Sequence, residues 1–354
     1  MCSLGVRRAL VALLAAAVLA AGVGDAARPP VAGAVVPEHA RSGYAPSLTA
    51  IHAPRVWKRT TGRGVVVAVI DSGVAGDVAN LRGRVLPRVD LVEPHRRDGW
   101  ADQMLAGGHG TGVASIIAGT GRAVPVHGIA PGVQILPVRI VNAHGHAPDR
   151  RVARAIVWAT QHGADVINLS VGTPAAQLRR RDRHLQHAAV RYAVRHGVTI
   201  VAGAGNNGPH NSGRFYPAAF REVIAVGGSN LVGTAASSFS NRGRWVDVVA
   251  PSVDVWNTNS DGTLGIASGT SFAGPAVAAL AALMLALDPD LTPSEIRRIL
   301  MSSAADLGTR GRDRDTGAGL VNAPRAVGGA LRRSGRLTGP QLREPPGDIV
   351  QSFR

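Results

Sequence analysis

Residues 198–217 read "VTIVAGAGNNGPHNSGRFYP", and two readings compete for them. Gly203, Gly205 and Gly208 follow an apolar run with the spacing G-x-G-x-x-G, the spelling of a dinucleotide-binding loop. Such a loop needs a helix opening at its third glycine, because the helix N-terminus holds the pyrophosphate. Pro209 and Pro217, with Gly213 between them, oppose a helix there. An acid stands near the expected spacing, Glu222, but it opens the next apolar run instead of ending it. The glycines are better read as a loop that lets another group approach the backbone, with Asn206 between them.

Outward from this loop the chain alternates between two textures. Short apolar runs rich in β-branched residues occupy 65–70, 133–141, 164–171, 198–204 and 222–228, and read as buried strands. Helical patterns lie between them at 109–119, 149–163 and 182–197, the last two ending in His-Gly, a fitting helix stop. This alternation predicts βαβ units and a doubly wound, mostly parallel sheet. Residues 269–289 are apolar all round, so they predict a helix inside the core. The stretch 291–304 predicts an amphipathic helix with Thr292 as N-cap, Pro293 at its first position and Glu295 closing a capping box.

Composition bounds the function. The 354 residues are 45% hydrophobic, enough for a large core, with 44 Gly and only 4% aromatics. The net charge of +16 comes almost wholly from arginine, Lys58 being the sole lysine. The arginine runs at 178–184 and 311–315 are broken by acids and carry no interleaved aromatics, which argues against a nucleic-acid partner. Arg7 and Arg8, an apolar run from Ala9 to Val23 and the small residues after it read as a secretory signal peptide ending near Ala26. The single cysteine, Cys2, lies within that leader, so neither disulfides nor cysteine-held metal are expected afterwards. The expected organisation is signal peptide 1–26, a short extended Pro-rich segment 27–45, one catalytic-size domain 46–327 and a flexible Arg/Pro-rich tail 328–354. The expected product is a secreted monomer, free of the membrane once the leader is removed.

Three polar residues stand at the ends of these elements. Asp71 closes the run "VVVAVIDSGV", His109 opens "HGTGVASIIAG" and Ser271 lies in "IASGTSFAGPAVAAL". Singly, each has an ordinary reading as a turn, a helix end or an N-cap. Together they supply a hydroxyl nucleophile, a base to take its proton and a carboxylate to orient the base, all at the strand ends where a doubly wound sheet keeps its crevice. Acyl transfer also needs donors for the oxyanion. Asn206 offers a side-chain amide, and the Ser271 N–H at a helix start offers a second donor.

With these motifs in hand, residues 51–327 resemble the subtilisin-like (subtilase) serine endopeptidases. The resemblance rests on "AVIDSGV", "HGTGVAS", "AGN" and "GTSFAGP" in that order, and on the intervening "GIAPGVQILPVRI" and "VINLSVG". It implies a three-layer α/β/α fold and a secreted endopeptidase acting on a protein or peptide substrate, the alternative being a catalytically inactive subtilase fold used for binding. It assigns catalysis to Asp71, His109 and Ser271, the oxyanion to Asn206, and backbone pairing with an extended peptide to Gly145, Ser170 and Gly172. It also places Phe215 at the wall of the primary specificity pocket, where an inward ring would shorten the pocket and a ring turned into the core would not. The G-x-S-x-G elbow and Ser…Asp…His order of α/β-hydrolases are both missing.

Departures from the family pattern carry their own expectations. Gly112 and Ala276 stand where histidines are usual, which suggests two helices reshaped together. Only 16 to 25 residues separate the leader from the domain, too few for an inhibitory propeptide. No cofactor is expected, and the family's tight calcium site looks lost. Arg122 stands in "TGRAVPVHG" where an asparagine ligand belongs, and Asn80 stands where an acid belongs, with Asp77 three residues early. The guanidinium of Arg122 could fill the ion's place with its own charge; the alternative is that the register slips by a residue or two and Asp77 still serves a calcium ion.

Overall fold

The structure, a computed structural model, describes residues 44–94, 102, 107–211 and 213–335. The chain enters through a short helix α1, Pro46–Ala50, and a 3-10 turn, Ala53–Val56. β1 (Val66–Asp71), β2 (Val89–Asp90) and β3 (Gln134–Arg139) follow, with α2 (His109–Ala118) before β3. Next come α3 (Asp149–Gln161), β4 (Val166–Leu169), β5 (Thr173–Pro174), α4 (Arg180–Arg195), β6 (Thr199–Gly203), β7 (Phe215–Tyr216) and β8 (Ile224–Ser229). β9 (Val248–Pro251), β10 (Val255–Thr258) and β11 (Leu264–Ala267) precede α5 (Thr270–Leu285), α6 (Pro293–Ser303) and α7 (Ala323–Arg333).

Seven strands form one sheet in the order β2-β3-β1-β4-β6-β8-β9, parallel at every pairing. Successive side chains along a strand face opposite ways, so each strand feeds two cores. Val67 and Val69 of β1 pack with α2, α5, α6 and α7, whereas Ala68 and Ile70 pack with α3 and α4. The result is the three-layer α/β/α arrangement. The chain runs from β1 outward to β3 and then returns past β1 to β4, so the order reverses there and opens a crevice beyond the strand ends.

The all-apolar stretch becomes α5, in which every residue but Ser271 is buried. The capping box forms as expected, the Glu295 N–H donating to Thr292 Oγ1 and the Thr292 N–H to Glu295 Oε2. α3 and α4 stop at His162 and His196, each followed by a left-handed glycine, Gly163 and Gly197.

Two expectations need correction. The tail does not begin at 328, because α7 continues to Arg333, buries Ala330 and Leu331, and ties Arg333 to Asp288 with two 3.1 Å bonds. Its arginines look tail-like in sequence, but they lie on the outer side of an amphipathic helix. The hairpin β10–β11 was not read as strands at all; its runs are four residues each and hold Asn257 and Gly265. The leader and segment 27–43 lie outside the described residues.

Candidate active site

The loop "AGAGNNG" leaves β6 and is followed by a single 3-10 turn, Pro209–Asn211, with no helix at the third glycine. Asn206 accepts from both the Thr270 N–H and the Thr270 hydroxyl with its oxygen, each at 2.9 Å. Its amide nitrogen lies near Gly269 at the start of α5, where a Cβ would fall 3.3 Å from it, and makes no hydrogen bond among the described residues. The Thr270 hydroxyl also accepts from the Gly205 N–H at 3.0 Å, so one threonine fixes the loop and aims the amide.

Ser271 is the second residue of α5, where backbone N–H groups have no partner within the helix. Pro275 lies four residues on and has no N–H to give the Ser271 carbonyl. The Ser170 hydroxyl takes that place, donating to the Ser271 carbonyl at 2.8 Å while accepting from Asn168 Nδ2 at 3.0 Å. The Ser271 hydroxyl in turn donates to the Ser170 carbonyl at 3.3 Å. Among the described residues it makes no bond to His109, and it can reach other acceptors by turning about one torsion.

Asp71 ends β1, is almost wholly buried, and accepts from His109 Nδ1 at 2.8 Å and from the Ser72 N–H at 2.7 Å. A carboxylate at Nδ1 fixes the proton there and leaves Nε2 as the basic atom. The His109 ring lies against Phe272, the neighbour of Ser271, with centroids 5.4 Å apart. Burial alone would lower the pKa of His109, but the charge and hydrogen bond of Asp71, aided by Asp102, more than offset it and hold the ring above the ordinary histidine value. Gly110 is required beside the ring, since a side chain there would start 2.1 Å from the Gly73 carbonyl.

The Phe215 ring lies half-buried between the two loops that flank Ser271. A Cβ on Gly172 would fall 2.3 Å from its Cε1, and one on Gly205 would fall 2.9 Å from its Cγ. The ring therefore points between these loops and not into the core. Gly145 stands apart in a tight turn, its N–H given to the Asn142 carbonyl at 2.9 Å and its φ at 75°. Only its carbonyl is left for a peptide.

The two missing histidines have a local explanation. Beside Gly112 the space is taken by the Asn257 amide and the Phe272 ring, so compensation comes from β10 as well as from α5. Sequence reading missed four residues around the site. Asn168 had a signal, a polar residue inside a buried apolar run. Thr270, Ser72 and Asp102 had none, because their roles depend on contacts across the sheet.

The residues around loop 120–128 do not fit a calcium ion, which needs six to eight oxygens with carboxylates among them. Asn80 is buried in that loop and points its amide hydrogens at the Val126 carbonyl, 3.1 Å, and the Thr258 hydroxyl, 2.7 Å. Its oxygen accepts from the Gly121 N–H at 2.8 Å. Arg122 does not occupy the place, contrary to expectation; both it and Asp77 are exposed. Asn80 already answers the carbonyl the guanidinium would have faced.

A profile described as the subtilase family matches residues 62–319. The chain belongs to that family. Fervidolysin of Fervidobacterium pennivorans is 33% identical over 79% of this chain, and its crystal structure superposes with a TM-score of 0.71 at 32% identity over 80% of this chain. The thermophilic serine proteinase of Bacillus sp. strain AK1 is 41% identical over 68% of this chain, and subtilisin DY of Bacillus licheniformis 36% over 75%. The chain spans 43% of fervidolysin and 57% of the Bacillus proteinase, but 92% of subtilisin DY.

Proposed function

We propose that this subtilase is a secreted serine endopeptidase. The observation that carries the reading is the 2.8 Å Asp71–His109 pair opening α2 against the residue next to Ser271. In this mechanism a peptide strand pairs with the backbone at Ser170, Gly172 and the Gly145 carbonyl. Its N–H displaces the Ser271 hydroxyl from the Ser170 carbonyl. The freed hydroxyl turns to His109 Nε2, loses its proton there and attacks the scissile carbonyl. Asn206 Nδ2 and the Ser271 N–H hold the oxyanion, and the acyl-enzyme is then hydrolysed by water with the same base. Neither calcium nor any cofactor enters these steps, and no tightly held calcium is needed for folding.

A fluorophosphonate should label Ser271, casein should be cleaved, and Ser271→Ala should lose both by at least about 10⁴-fold with the melting curve retained. Labelling without cleavage of any protein or peptide would refute the reading. Phe215 fills the room where a large side chain before the cut would lie, so small residues are favoured there. Phe215→Gly should raise kcat/KM for peptides with Phe or Tyr at that position by about 10-fold or more. Efficient cleavage after Phe or Tyr by the wild type would contradict it.

A further inference from the structure

Asp102 is buried, and the steps above make no use of it. Its Oδ1 accepts from the Ser72 hydroxyl at 2.6 Å, and its Oδ2 accepts from the Thr111 N–H at 2.6 Å and the Thr111 hydroxyl at 2.8 Å. Each hydroxyl is tied onward. The Ser72 hydroxyl accepts from the Gly110 N–H, and that of Thr111 from the Ala75 N–H, both at 3.0 Å. Ser72 adjoins Asp71, while Gly110 and Thr111 follow His109. The N-cap of α2 is Gly108, which has no side chain to cap the helix, and Asp102 accepts from the Thr111 N–H in its stead. All three of its contacts are donors, so the site is built for a carboxylate that only accepts.

We propose that Asp102 is a positioning residue for the general base. It locks the end of β1 to the first turn of α2, so that Asp71 and His109 keep their bond, and its charge supports the imidazolium formed when His109 takes the Ser271 proton. The inference rests on the peptidase reading above. Among the described residues, the charged groups around Asp102 are Asp71 from β1 and His109 from α2. The hairpin β10–β11 brings uncharged Ser260 against Gly108, and Asp261 at its tip is engaged by Thr263. Burial raises the pKa of Asp102, the Ser72 and Thr111 donors lower it, and the charge of Asp71 raises it further. The charge of Asp102 raises that of His109 in turn. Neutralising Asp102 should therefore let His109 lose its proton at lower pH, and the acid limb of the rate profile should move down.

The test is the pH profile of kcat and kcat/KM for the wild type, Asp102→Asn, Asp102→Ser and Ser72→Ala, normalised to sites titrated with a fluorophosphonate so that only folded enzyme is counted. Asp102→Ser keeps a hydroxyl acceptor near Thr111 and reads the charge should the amide variant fold poorly. Both Asp102 variants should shift the acid limb down by about half to one pH unit and lower kcat about 10-fold, with KM within about 2-fold. Ser72→Ala should lower kcat and leave the limb in place, because the charge remains. An unmoved limb in the Asp102 variants, a change confined to KM, or full kcat in Ser72→Ala would overturn the proposal. A wild type that takes no label and cleaves nothing would overturn the peptidase reading instead.

Discussion

Two regions of this molecule are each built on an asparagine and a histidine, and they use them oppositely. In the loop 120–128 the amide of Asn80 is spent on both sides, giving its hydrogens to Val126 and Thr258 and its oxygen to Gly121. In the loop 203–208 the oxygen of Asn206 is anchored on Thr270 and the nitrogen is left open. His127 of the first region is half-buried between Tyr44 and Trp57, its Nδ1 without a hydrogen-bond partner among the described residues, and burial lowers its pKa. His109 of the second faces Asp71 and is raised. A satisfied amide with an apolar histidine makes structure. A half-satisfied amide with a carboxylate-bound histidine makes a site, because the unused donor and the poised base are what a reacting carbonyl needs.

The contrast breaks if the two asparagines respond alike. In the proposed mechanism Asn206→Ala removes one oxyanion donor and should lower kcat by about 10²–10³ with little loss of stability. Asn80→Ala leaves the Val126 carbonyl without its donor and should cost about 2–4 kcal/mol of stability, read by denaturant or thermal melting, with kcat per titrated site within about 2-fold of the wild type. Full activity in Asn206→Ala, or an inactive but fully stable Asn80→Ala, would erase the distinction.

The histidines sharpen it through pH. In the proposed mechanism only neutral His109 acts as base, and its pKa is raised, so activity should fall with acid starting above the ordinary histidine value near 6.5. His127 has a lowered pKa, so the unfolded chain binds its proton first. Its share of stability is present above about pH 6.5 and is lost as pH falls through its lowered folded value. Activity should thus fail at a higher pH than stability does, and His127→Gln should flatten the acid slope of the melting temperature without moving the acid limb of the rate. A rate that stayed flat through mildly acidic pH would remove His109 from its role.

Sequence legibility follows the same division. Five strands of the sheet (β1, β3, β4, β6 and β8), α5 and the capping box are written in local periodicity, so they could be read directly, whereas the edge strands β2 and β9, two and four residues long, are too short to carry a pattern. Asp71, His109, Asn206 and Ser271 could be singled out because each stands at or just beyond the end of an element within a distinctive short motif. Phe215 was legible as a position but not as an orientation, which depends on Gly172 and Gly205 arriving from two other loops. Asp102 was not legible, since it stands seven residues before His109 outside any pattern and acts only through Ser72 and Thr111. The amide of Asn80 was read as a lost charge, whereas its partners, Val126 and Thr258, lie 46 and 178 residues away.

The smallest expected effect is the most informative about the first region. Carbonyls that converge on a loop in this family can be answered by a cation or by donated hydrogens, but not by both at one point. Here Asn80 Nδ2 already sits 3.1 Å from the Val126 carbonyl, and a cation would have to displace a buried, fully used amide to reach it. EDTA should therefore leave the wild-type melting temperature within about 1 °C, since removing a ligand that is not bound shifts nothing. Asn80→Asp turns the argument round. The carboxylate can still accept from Gly121, but it sets an oxygen against the Val126 carbonyl and costs about 1–3 kcal/mol in calcium-free buffer. Added calcium should recover part of that loss in Asn80→Asp and none in the wild type. A wild-type drop of many degrees in EDTA would show instead that the amide and an ion share the loop, and the division between the two asparagines would then rest on Asn206 alone.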